Sequence, residues 1–325
     1  MGKRTLTTIL LAGLCLAVSP VFANPLQKNQ IGPGANWVVH ADLDAVRSSQ
    51  FGKLMMAELK AQGVEEKLQS FATIFSFNPL TDVRNITLYG KGKDRNNAVA
   101  IVDGQFDAQK LISLIRLNPQ FQETPYQGVT LYRWQNEDKK GGQAESQLMY
   151  GFVREGRGVV VSTGLDALKQ AADNLKGSGA GNSTGVAGQI PPAESGTFLQ
   201  VVASSLGNLT GDDPKAAILK QTDLFTAGAG ETADKVFAAL HLGGQSPEVA
   251  DNVMKLVQGV VAMAQLATQE QPKLSELAKN VNVTRQDKTV QVRFEAPAQS
   301  VFAFLKEQWE QKKQQPKPTT QGTTP

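Results

Sequence analysis

Phe152-Val-Arg-Glu-Gly-Arg-Gly-Val-Val-Val161 runs apolar, polar, then apolar again, and a helical pattern from Leu165 to Leu175 follows it. Two β-prone runs around a short glycine-bearing turn read as a tight hairpin. The same order returns at Val283-Thr-Arg-Gln-Asp-Lys-Thr-Val-Gln-Val292, again ahead of a helical stretch, Gln299 to Lys313. A second pair corresponds further upstream in each half. Ala98-Val-Ala-Ile-Val102 precedes a helix, as does Val236-Phe-Ala-Ala-Leu-His-Leu242. Repetition of an element order predicts repeated units. The expectation is an α+β fold of two similar domains related by internal duplication, each a mostly antiparallel sheet with helices on one face.

The remaining pattern fills these halves. The first opens with a strand at Trp37 to Ala41 and helices near Gln50 to Gln62 and Val64 to Phe75. Strands follow at Arg84 to Gly90, Ala98 to Asp103, Val129 to Trp134 and Leu148 to Arg154. Asp107 is placed to cap a helix from Ala108 to Leu117, and Gly177 to end the helix that begins at Leu165. The second half opens with a strand at Thr197 to Ala203 and a helix near Pro214 to Thr222. Strands at Leu224 to Thr226 and Lys235 to Leu242 come next. Ser246, Pro247 and Glu248 then form a helix start by capping, fixed φ and dipole.

Domain limits follow from composition. Gly177-Ser-Gly-Ala-Gly-Asn-Ser-Thr-Gly-Val-Ala-Gly188 is small, polar and glycine-rich, so residues 177–195 read as a flexible linker between domains at 24–176 and 196–313. Residues 314–325 carry almost no apolar side chain and read as a disordered tail.

The first 23 residues have their own signature. Lys3 and Arg4 precede an apolar stretch from Leu6 to Val18, and Val21-Phe22-Ala23 closes it with small residues at the −3 and −1 positions. That order is a cleavable secretion signal, with cleavage after Ala23. The apolar part is too short to span a bilayer. Leu11-Ala12-Gly13 resembles the start of a lipobox, but Leu14 stands between Gly13 and the single cysteine, Cys15. A mature chain starting at Asn24 has no cysteine, hence no disulfide, thiolate metal site or cysteine nucleophile. The expected location is periplasmic or secreted. Removing residues 1–23 takes two of the 33 basic residues and none of the 30 acids, leaving a net charge of about +1. No bulk field then favours nucleic acid or an anionic membrane. No later segment reads as a transmembrane helix: Val249 to Ala267 is interrupted by Asp251, Asn252, Lys255 and Gln258.

The run Trp37-Val-Val-His-Ala-Asp-Leu-Asp44, with Phe51-Gly-Lys53 and Asn78-Pro-Leu-Thr-Asp-Val-Arg-Asn-Ile-Thr-Leu-Tyr-Gly90, resembles uncharacterised secreted bacterial proteins. The resemblance covers mainly the first half. It implies an exported bacterial protein and brings no activity, cofactor or catalytic residue with it.

Few residues point to chemistry. Strand alternation puts His40 and Asp42 on one face, with Asp44 just beyond, so His40, Asp42 and Asp44 are the candidate ligands for a divalent ion. The alternative reading has Asp42 or Asp44 capping the following turn, with His40 a strand-end residue. His241 sits in an otherwise apolar strand. Gly181-Asn-Ser-Thr-Gly185 matches a nucleophile-elbow pattern but lies in the linker, without the strand and helix that strain such a turn. Gly228-Ala-Gly230 lacks the third glycine of a dinucleotide fingerprint. No cofactor is called for.

The sequence thus leads to an exported, non-enzymatic protein that acts by binding an envelope or secreted protein partner, with oligomeric state open. Two alternatives stand beside it: a metal-assisted hydrolase using the His40–Asp42 strand, and a structural envelope component.

Overall fold

The computed structural model describes residues 24–75, 77–140, 143–177, 185–205, 222–267 and 271–314. Its strands are β1 (Trp37–Asp42), β2 (Val83–Gly90), β3 (Ala98–Gly104), β4 (Gln122–Tyr126), β5 (Val129–Lys140), β6 (Gln143–Arg154), β7 (Gly158–Ser162), β8 (Thr197–Ser204), β9 (Thr222–Thr232), β10 (Lys235–Gly244), β11 (Val281–Gln286) and β12 (Thr289–Pro297). The α-helices among these residues are α1 (Leu43–Ser48), α2 (Gln50–Ala61), α3 (Val64–Phe75), α4 (Ala108–Ile115), α5 (Leu165–Leu175), α6 (Pro247–Leu266), α7 (Pro272–Ala278) and α8 (Ala298–Gln314).

The fold is mixed helix and strand around one large antiparallel sheet. All twelve strands join in the order β11-β12-β10-β9-β8-β1-β2-β3-β7-β6-β5-β4. This corrects the expectation of one sheet per half. β1 and β8, the first strand of each half, pair antiparallel, with Val39 opposite Val201 and His40 opposite Gln200. Both strands carry valines on both faces: Val38 and Val39 in one, Val201 and Val202 in the other. An apolar strand left as an edge exposes unpaired amides and carbonyls beside hydrophobic surface. Pairing the two edges satisfies the amides and carbonyls of both strands.

One face of the sheet holds the main core. Val38, Tyr89, Val99, Ile101, Val160, Phe152 and Val202 are buried there, under Leu168, Ala171 and Ala172 of α5. The cover over β1 and β8 comes from two loop segments. Leu26, Ile31 and Ala35 come from the segment ahead of β1; Val186, Ala187 and Ile190 come from a short 3-10 helix, Gly185–Gln189, and its exit. The second segment belongs to the expected flexible linker, and here that reading is corrected. Three apolar side chains among the glycines bury against the core, and the Val186 amide donates to the Ala35 carbonyl at 2.9 Å. Burial of those side chains offsets the ordering entropy that the glycine content makes large. The linker residues 178–184, the helix read near Pro214 and the tail 315–325 lie outside the described residues.

The opposite face is covered by α6 at the far end, where Leu242 and Val290 meet Ala250 and Val253. Polar contacts also tie the halves. Lys306 of α8 reaches Glu58 of α2 at 2.8 Å, and Glu231 of β9 meets the start of α2. No described helix is long and apolar enough to cross a membrane.

Candidate functional site

The residues singled out as metal ligands are brought together, but around a backbone rather than around an open centre. β1 alternation turns His40 and Asp42 to the core side, where they are 5% and 2% exposed. Asp42 is the N-cap of α1: its Oδ1 accepts the Ala45 amide at 3.0 Å. Its Oδ2 accepts the amide of Asn24 at 2.5 Å. The Nε2–H of His40 donates to the Asn24 carbonyl at 2.7 Å, which leaves Nδ1 to accept from the Thr87 hydroxyl at 2.9 Å. Asp44 accepts from the Asn24 side-chain amide at 3.0 Å and pairs with Arg47. Both His40 nitrogens and both Asp42 oxygens are thus engaged. Among the described residues no group of three His, Cys, Asp or Glu side chains is placed to hold a metal ion. The turn-capping reading of Asp42 is the one the geometry follows.

Burial pushes the His40 imidazole below its ordinary pKa, against the opposing pull of the Asn24 carbonyl and the Asp42 and Asp103 carboxylates. A buried ring whose neutral tautomer satisfies both neighbours holds structure rather than shuttling protons. His241 is exposed and lies 3.2 Å from the Thr226 hydroxyl, on a different strand from His40. The two histidines share no site. Ser183 of the elbow-like pattern falls outside the described residues.

A different feature emerges on the sheet face opposite the main core. Reading the ladders across β7, β3, β2, β1, β8 and β9 gives one row of Val161, Ala100, Leu88, Val39, Val201 and Ala227. The next row on that face is Val159, Val102, Ile86, Ala41, Leu199 and Ala229. None of the twelve side chains has a polar atom and none is fully buried. Leu88 is 38% exposed and Leu199 37%. A sheet face turned to water normally alternates to polar residues. On the same side, α6 leaves Leu256, Val260, Met263 and Leu266 at 50%, 54%, 66% and 80% exposure. The sequence signal for this surface was in plain view: Trp37 to Ala41 and Ala98 to Val102 are apolar at almost every position. It is informative only once the strand order sets the rows side by side.

No protein-family model matches the chain, and no curated protein matches it. Among solved structures the chain is similar to "Structure of crystal form I of TP0453" and to "Structure of crystal form III of TP0453". Each is 8% identical with a TM-score of 0.46, covering 87% of this chain and 98% of that one. "Structure of crystal form IV of TP0453" is 10% identical with a TM-score of 0.42, covering 87% of this chain and 96% of the other. A likeness this distant brings no function with it.

Proposed function

We propose that the chain is an exported bacterial envelope or secreted protein, freed of residues 1–23, that acts by binding another protein rather than by catalysis. The observation that carries the reading is the two-row apolar sheet face. Twelve apolar side chains, Leu88 and Leu199 exposed and the others partly buried, form a contiguous surface of the kind that marks interaction sites in otherwise well-packed proteins. A partner laying an apolar strand or helix face there gains burial energy from side chains already ordered by the sheet.

The internal duplication belongs with this proposal. Strand order supports it: counted from the central joint, β1-β2-β3-β7-β6 runs one way and β8-β9-β10-β12-β11 the other. Each half then contains a three-stranded meander, a crossover, and a hairpin whose second strand returns beside the third; the first half adds β5 and β4 at its outer edge. The helices do not repeat so simply. α5 packs on the face of Val160, and α6 packs on the face of Leu242.

The test is to cross-link the tagged protein in its native envelope fraction and identify what co-purifies, beside a Leu88→Glu/Leu199→Glu variant whose melting temperature moves by no more than a few degrees. A specific protein that is reproducible across salt concentrations and lost from the variant supports the reading. Turnover of a generic ester, glycoside or peptide substrate that disappears on a single-carboxylate substitution overturns it.

A further inference from the structure

Asp42 is one of the most deeply buried side chains described, and it is a carboxylate. Among the described residues it has no cationic partner. Arg47, on the helix that Asp42 caps, is spent on Asp44 and on the carbonyls of Leu80 and Val83. A buried carboxylate facing only amides is an expensive arrangement, and one that a nearby positive charge relieves. The amide that Oδ2 faces is that of Asn24, at 2.5 Å. Asn24 is also the residue that follows the Ala23 cleavage signal read from the sequence alone. Its carbonyl is held by His40 and its side chain by Asp44. From this anchor the chain runs over the core, with Leu26 at 9% exposure and Ile31 at 0%.

We propose that removal of the leader creates the missing partner: the α-ammonium of Asn24, seated on the buried Asp42 carboxylate as a partly buried ion pair. The inference rests on the export reading. Hydrolysis of the Ala23–Asn24 peptide bond by a leader-removing peptidase consumes one water. The C–N bond breaks, a C–O bond forms on Ala23, and the released amine of Asn24 takes up a proton. One N–H donor becomes a cation with three, in the place where Asp42, His40 and Asp44 already converge on this residue. The uncleaved chain offers Asp42 only a neutral amide, so the cleaved chain holds the segment from Asn24 to Ala35 over β1 and β8 more firmly. Processing and completion of the core are thereby coupled.

The experiment compares three chains made by release from a carrier with a protease that leaves no extra residue. One starts at Asn24, one at Ala23, and one starts at Asn24 with Asp42→Asn. The Asn24 start is expected to melt at least about 2 °C above the Ala23 start, and Asp42→Asn removes the gain. Because Asp42→Asn also weakens the α1 cap, a second readout uses unmutated chains only. Labelling of the α-amine by an acylating reagent at pH 7 is expected to be at least tenfold slower for the Asn24 start than for the Ala23 start. Equal melting temperatures and equal labelling rates overturn the ion pair. N-terminal sequencing of the protein recovered from the envelope fraction separates the two claims. A native start at Asn24 with no stability gain sinks the ion pair and leaves export intact; a processed start at another residue sinks the coupling alone, and an intact leader sinks the export reading and the coupling with it.

Discussion

Glu231 of β9 grips the start of α2 at Gln50: one carboxylate oxygen accepts the Gln50 amide at 2.6 Å and the other the Phe51 amide at 2.7 Å. The partners are 181 residues apart. A carboxylate at a helix N-terminus satisfies amides that have no partner inside the helix and meets the positive end of the dipole. Here it also fastens the helices of the first half to a strand of the second. Glu231→Ala is expected to cost about 1–2 kcal/mol, read as a lowered urea midpoint with an unchanged slope. Because one sheet runs through both halves, far-UV circular dichroism and the fluorescence of Trp37, with Trp134 and Trp309 replaced by Phe, are expected to report the same transition. Two separated transitions would mean the halves unfold independently.

Much of this architecture was legible in the residues. α3 and α5 occur at the bounds their apolar periodicity gave, Val64–Phe75 and Leu165–Leu175. Asp107 and Ser246 cap their helices through the amides of Lys110 and Val249. The misses have physical causes. β4 reads Gln122-Glu-Thr-Pro-Tyr126, polar and interrupted by proline, which only an edge strand tolerates; it pairs with β5 alone. α1, six residues long, is too short for a period to declare itself. The joining of the sheets rests on β1 meeting β8, a contact between residues some 160 positions apart that no local pattern encodes. The site was half-legible. His40, Asp42 and Asp44 do converge, but their common partner is Asn24, and spacing alone cannot distinguish a captured backbone from a captured ion.

The apolar rows make a prediction independent of any partner. Leu88 and Leu199 stand at the open centre of the face, and the native protein is expected to bind an environment-sensitive apolar dye there. In Leu88→Glu/Leu199→Glu most of that fluorescence is expected to vanish while the melting temperature moves by no more than a few degrees, since both positions are solvent-accessible. Undiminished dye binding would place the apolar surface elsewhere, with the exposed side of α6 as the next candidate.

Gly158 opens β7 after the Glu155-Gly156-Arg157 turn, with φ at +146°. A Cβ built there would stand 2.0 Å from the Val102 carbonyl oxygen, which is backbone of the neighbouring strand and cannot swing aside. Gly158→Ala must therefore part β3 from β7 at the end of their ladder or distort the turn. The expected loss is about 2 kcal/mol, visible in denaturant unfolding. Gly156→Ala, at a positive φ but in open space, is expected to cost less. Equal costs would assign the effect to backbone conformation rather than to the close approach.

His40 predicts how stability depends on pH. Burial lowers its pKa in the folded protein, while the unfolded chain keeps the ordinary value near 6.5. The unfolded state therefore binds a proton first as pH falls. The contribution of the neutral ring is complete above about pH 6.5 and is lost as pH drops through that value toward the folded pKa. Protonation would also turn Nδ1 into a donor against the Thr87 hydroxyl, reversing the bond at 2.9 Å and forcing Thr87 to find another acceptor for its own proton. Melting temperatures measured from pH 8 to pH 5 are expected to fall more steeply for the wild type than for His40→Gln, which keeps an amide donor for the Asn24 carbonyl and cannot titrate. Parallel curves for the two proteins would show that the acid loss comes from carboxylates elsewhere in the fold.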